Sequence, residues 1–183
     1  MPPPPLDLLV AVAVVALIAA WYINSSNAPQ TGVSAQAQPV LPELHDHVND
    51  VNAITLTGAG DKVLVTLTRG ANGWSVAEKS NYPADLAKIR EFLIKLDQAT
   101  LTEAKTSTPK LYGELGVDDV KDAKATGVLV TFGGLAKPLS IIIGNYNGAG
   151  GGGTFVRRAG EAQSWLAGGN LTANKTMADW ELR

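Results

Sequence analysis

The chain has no cysteine, only two histidines, and no lysine or arginine before Lys62. Without thiols a cysteine nucleophile is excluded, and redox compartment cannot be read from the sequence. His45 and His47 share one short segment, so a Ser-His-Asp arrangement would need that segment to fold back onto a distant serine, and no serine lies in a G-x-S-x-G turn. Basic residues number 15 against 17 acidic ones and are scattered, which removes the electrostatic footprint of a nucleic-acid binder. No nucleic-acid partner is therefore expected. Aromatic residues are sparse, at 6%, so each of the four tryptophans is worth following.

What the chain does have is one long apolar run, LDLLVAVAVVALIAAWYI, at residues 6–23. A helix of that length rises about 1.5 Å per residue and nearly crosses the ~30 Å hydrocarbon core of a bilayer. It carries a single charge, Asp7, and no polar face, which argues against a buried core helix. Trp21 and Tyr22 close the run, where amphipathic rings rest at the membrane interface. The preceding MPPPPLD has no basic residue, and the A-x-A pattern at residues 35–37 lies well beyond the run, so a retained anchor is favoured over a cleaved signal peptide. Ala13, Ala16 and Ala20 provide a small-residue face on which a partner helix could pack. With no Lys or Arg near the span, the positive-inside rule is silent on orientation. The expected organisation is a Pro-rich lead and transmembrane anchor at 1–23, a polar flexible linker at 24–40, and an extracytoplasmic domain at 41–183.

Within that domain, Pro42 followed by Leu44, Val48 and Val51 predicts a short helical turn. Period-two alternation at residues 53–57 and 63–69, then Trp74-Ser75-Val76, predicts a three-stranded meander. A helix is expected over residues 83–98, with Pro83 in its first turn and Leu86, Ile89, Phe92, Leu93 and Leu96 on its inner face. A strand at 101–106 precedes a second helix capped by Thr108, opened by Pro109 and stopped by Gly116. Residues 127–132 and 139–143 read as a hairpin, 154–158 and 164–167 as further strands, and the tail as helix or extended chain. The fold class expected is α+β, a mainly antiparallel sheet with two helices packed on it.

Candidate chemistry is thin. His45 and His47 with Glu43, Asp46 and Asp50 could suggest a metal, but no further ligand has support, so no metal and no cofactor is assigned. The glycine-rich stretch 148–153 lacks the P-loop lysine and is flanked by strands rather than entering a helix, so it reads as a hairpin loop. Arg157 and Arg158 could hold an anion, yet adjacent strand residues face opposite ways. Asp118-Asp119 with Glu78 or Glu103 could form an acid-base pair in principle, although loop carboxylates are normally solvated. No catalytic residue is assigned.

The blocks VNDVNAITL, GWSVAEKSNYPAD, LTEAKTSTPKLYGELGVDD and TFVRRAGEAQSWLAGG, with ADWELR, resemble the first half of the bacterial DUF4340 family over residues 41–183. The resemblance implies an N-terminal membrane anchor and a domain facing the periplasm from the inner membrane, and some members are encoded beside ABC-type transporter components. It supplies no catalytic residue. Two functions are then open. One is a non-enzymatic accessory subunit that contacts an integral membrane protein complex while the anchor contacts lipid. The other is a binding module that presents a glycan, lipid or peptide to an ABC-type transporter, which an apolar pocket lined by Trp74, Trp165 or Trp180 would favour.

Overall fold

The computed structural model describes residues 37–183. The expected span at 6–23, with Trp21, Tyr22, Ala13, Ala16 and Ala20, and most of the linker lie outside the described residues. Among the described residues no helix is long and apolar enough to cross a membrane.

In chain order the elements are β1 (Gln38–Pro39), α1 (Pro42–His47), β2 (Ala53–Gly58), β3 (Lys62–Gly70), β4 (Gly73–Val76), β5 (Tyr82–Pro83), α2 (Leu86–Gln98), β6 (Thr100–Ala104), α3 (Tyr112–Leu115), β7 (Val128–Gly133), β8 (Leu139–Asn147), β9 (Gly153–Arg158) and β10 (Ser164–Gly168). The strands form one antiparallel sheet in the order β1-β6-β10-β9-β8-β7-β2-β3-β4-β5. The α+β class with a mainly antiparallel sheet is what the alternation predicted.

Eight of the ten strands form two four-stranded meanders, β2 to β5 and β7 to β10, which meet at the β2/β7 pair with Thr55 opposite Thr131, while β6 and then β1 extend the sheet beyond β10. Helix α2 leaves the β5 edge and delivers the chain to β6 near the other edge. On the way it buries Ile89, Phe92, Leu93 and Leu96 against Ile54, Leu56, Val65, Leu67, Val130 and Ile141. Both edge strands are two residues long and contain proline, a composition that resists pairing with another chain.

Several boundaries differ from expectation: β8 runs on to Asn147 rather than ending at 143, and β6 ends at Ala104 rather than at 106. Helix α2 starts at Leu86, not at Pro83. Pro83 pairs with Ser75, the Ala84 N–H donates to Trp74 O at 2.9 Å, and Asp85 becomes the N-cap by accepting from the Ala87 and Lys88 N–H groups at 2.9 and 3.3 Å. Edge pairing thus claims the residues that would have formed the first turn. Leu86, expected on the inner face, is 40% exposed. The second helix opens as a 3-10 turn at Pro109–Leu111, and Thr108 makes no side-chain cap. Its own N–H is instead held by Thr106 Oγ1 at 3.0 Å.

The opposite sheet face carries a smaller apolar cluster, in which Tyr112 and Val117 from the α3 segment cover Ile142, with Leu129 and Phe155 alongside. The tail is irregular apart from a 3-10 turn at Met177–Asp179 and an isolated bridge between Glu181 and Ala84. It straps the start of α2. Trp180 is buried edge-on to Phe92 at 5.6 Å between ring centres, its Nε1 donates to Asn174 O, and the Asp85 N–H donates to Trp180 O at 2.8 Å.

Candidate functional site

The residues singled out from sequence do not converge. His45 Nδ1 lies 2.9 Å from Asp97 and His47 Nδ1 2.9 Å from Asp50, so each ring has its own carboxylate. Among the described residues no group of three or more His, Asp or Glu side chains is placed to hold a metal. The glycine stretch joins β8 to β9 as a hairpin connection, with a 3-10 turn at Ala149–Gly151. Of the candidate acid-base residues, Glu103 pairs with Lys105 at 2.7 Å, Glu78 accepts from the Thr66 N–H at 3.0 Å, and Asp119 pairs with Arg157 at 2.6 Å. They are separate from one another.

Arg157 and Arg158 do point to opposite faces. Arg158 donates from Nε to Val40 O at 2.8 Å and from Nη2 to Pro39 O at 3.1 Å, pinning the entry to α1. Arg157 is 4% exposed and fully engaged. Its Nε donates to Val117 O at 2.9 Å, Nη1 to Glu161 O at 3.0 Å and Nη2 to Asp119, while its guanidinium lies 4.4 Å from the centre of the Tyr112 ring. The Tyr112 hydroxyl in turn donates to Ala162 O. Each contact is used to hold one loop to another, so this cluster is a clamp rather than a place for a ligand. Its one sequence signal is an arginine pair in a strand, and its partners are 38 and 40 residues away.

An open groove of about 440 Å³ lies between α2, the β3–β4 hairpin and the turn after α1. Its floor is built from Trp74, Ile89 and Leu93, because Trp74 and Arg69 are opposite each other on the helix-facing side of β4 and β3. Its rim carries Leu86 and Ile94, the latter 49% exposed, together with Arg69 and Arg90. Arg69 Nη1 donates to Asn49 O at 3.2 Å. No acidic side chain lines the groove, and among the described residues no carboxylate comes within ion-pair distance of Arg69 or Arg90. Of the three tryptophans flagged from sequence, Trp74 is the one in this groove. Trp180, in the tail, is buried against Phe92, and Trp165 Nε1 is buried without an acceptor.

The groove was missed because Leu86 was assigned to the inner face. The signal lay in the spacing of Leu86, Arg90 and Ile94, a second stripe at four-residue intervals beside the core stripe. Chemically the groove offers apolar area and two cations, with no nucleophile or general base among its lining residues.

A family model described as domain of unknown function (DUF4340) matches residues 74–181. No curated protein and no solved structure matches the chain.

Proposed function

We propose a function from one premise: this chain belongs to the DUF4340 family of domains of unknown function. It is a non-enzymatic accessory subunit, held in the inner membrane by a single span at residues 6–23, whose periplasmic domain acts through contacts with an integral membrane protein complex. The observation that carries this reading is the groove, where Leu86 and Ile94 remain exposed beside Trp74. Large apolar side chains grouped at a concave surface mark contact sites more often than isolated ones do. The apolar run supports the anchor, with Trp21 and Tyr22 at the interface and Ala13, Ala16 and Ala20 offered to a neighbouring span.

The test is purification of the full-length chain from its native membrane in mild detergent. A defined membrane complex should co-purify, and Ala16→Leu should lower its occupancy without abolishing it, since span and domain each raise the effective concentration for the other. A monodisperse, partnerless protein overturns the proposal. Ser34→Cys should react with a membrane-impermeant thiol reagent in intact spheroplasts; labelling only after lysis reverses the orientation. The second reading, a module presenting a ligand to an ABC-type transporter, draws on Trp74 in the same groove, and would replace the first if the isolated domain bound a small molecule saturably there.

A further inference from the structure

We infer that the groove beside α2 receives an amphipathic helix of the partner protein that carries a carboxylate between two large apolar side chains. This rests on the reading of the chain as an assembly subunit and names the chemistry of what that subunit meets. Three features of the groove support it.

Leu86, Arg90 and Ile94 recur every four residues, so they form one ridge along α2 about 12 Å long. A ridge of that period is what a second helix interlocks with when side chains of one pack into the grooves of the other. Behind the ridge, Trp74, Ile89 and Leu93 supply an apolar floor. A partner helix with apolar residues seven or so positions apart would therefore fill both ends of the groove.

The charge is one-sided. Arg90 sits at the middle of the ridge and Arg69 on the opposing wall, and the groove contains no acidic residue to neutralise either. The chain as a whole is acidic by two charges, so a doubly cationic groove departs from its surroundings. Covering it with a neutral apolar surface would strip water from two guanidiniums that have no carboxylate partner among the described residues, which costs more than the apolar contact gains. A carboxylate set between the two apolar anchors meets both arginines and removes that penalty. An arginine fork presents its donors in a plane that matches carboxylate geometry. A lipid phosphate could satisfy the same charges, but its acyl chain gains nothing from a four-residue ridge and would lie half in water in an open groove.

The experiment uses the full-length chain in its native membrane, with the photoreactive residue p-benzoylphenylalanine in place of Ile94. The same residue in place of Glu91, exposed on α2 away from the groove, is the control. The expected adduct joins position 94 to a segment of the co-purifying complex in which a carboxylate lies between large apolar residues at helical spacing. Arg90→Glu, at an exposed position that should not disturb folding, should reduce the adduct by about tenfold. Replacing the mapped partner carboxylate by lysine should restore it. Adducts with lipid alone, with a second copy of this chain, or with a segment lacking the carboxylate overturn the inference, as does equal labelling from position 91. If the complex co-purifies and position 94 gives no adduct, this inference fails while the subunit reading stands. If nothing co-purifies, both fall.

Discussion

The two meanders share one sheet and one core, yet they are built to different rules. In β2 to β5 the side facing α2 is buried, while the other side carries half-buried hydroxyls: Thr55, Thr66, Thr68 and Ser75, with the last two 3.3 Å apart. Strand β2 accordingly alternates between half-buried and buried along its whole length. In β7 to β10 the α3 segment lies over the second side, so Ile141, Ile142 and Ile143 are all buried in succession. The lesson is that a covered sheet face changes more than hydrophobicity. It brings a second backbone into contact with the sheet, and it demands residues that let that backbone approach. At Gly127 an added Cβ would lie 2.2 Å from Gly116 O, and at Gly144 it would lie 2.3 Å from Leu115 O.

The largest effect should therefore come from closing that approach. Gly127→Ala or Gly144→Ala pushes a methyl group into the carbonyls that end α3, and neither backbone can relax without losing the cover over Ile142. A loss of about 3 kcal/mol or more is expected in urea denaturation of the domain at residues 37–183, at the upper end for overpacking. Gly70→Ala, at the end of β3 in the uncovered meander, meets nothing within 4 Å and should change stability by under about 0.5 kcal/mol. Equal effects at Gly127 and Gly70 would erase the distinction between the two meanders.

Arg157→Ala comes next. It removes three charge-assisted hydrogen bonds and the contact with Tyr112, and it leaves Val117 O and Glu161 O without their donors. Asp119 is 58% exposed on its side chain and can rehydrate, so the cost is below that of stranding a buried carboxylate. About 2 to 4 kcal/mol is expected, and Arg157→Lys should recover little of it, because an ammonium cannot reach carbonyls in three directions from a planar fork. Arg158→Ala, which also releases two carbonyls but from a less buried side chain, should cost about 1 to 2 kcal/mol. If Arg158 proved the more costly, the linchpin would lie at the entry to α1 rather than over the second meander.

The same contrast explains how far the sequence could be read. Alternation is visible where one sheet face meets water, so β2, β3 and β4 were predicted within a residue or two, as was the core stripe Ile89, Phe92, Leu93 and Leu96. The strands of the second meander were legible as apolar runs, but a run cannot say what covers it. That Tyr112 and Val117 fold over Ile142 depends on contacts 25 to 30 residues apart in sequence, which no local spacing encodes. Helix α2 began late because Pro83 and Ala84 are recruited by β4, again a tertiary demand overriding a good local signal. The groove failed for the opposite reason. By period Leu86 fits both the inner stripe and the stripe it forms with Arg90 and Ile94, and its 40% exposure decides between them.

The smallest effect tests whether the outer side of the first meander is as open as its hydroxyls suggest. Strand β4 turns away after Val76 pairs with Leu67, and the Glu78 carboxylate takes over as acceptor for the next N–H of β3, that of Thr66. Partial burial alone would raise the Glu78 pKa, but hydrogen bonds from the Thr66 hydroxyl and N–H and from its own N–H outweigh it and hold the carboxyl below its ordinary value. A pKa lower in the folded than in the unfolded chain adds stability above the unfolded value, roughly pH 4, and that contribution disappears as pH falls through the folded one. Glu78→Gln keeps an acceptor for Thr66 and removes only the charge. Its deficit should be under about 0.5 kcal/mol near neutrality, because the group is solvent-exposed and screened, and should vanish in acid. Paired urea titrations across that pH range measure it directly. A deficit that persisted in acid would mean that packing rather than charge is lost, and that the outer face at β3 is covered after all.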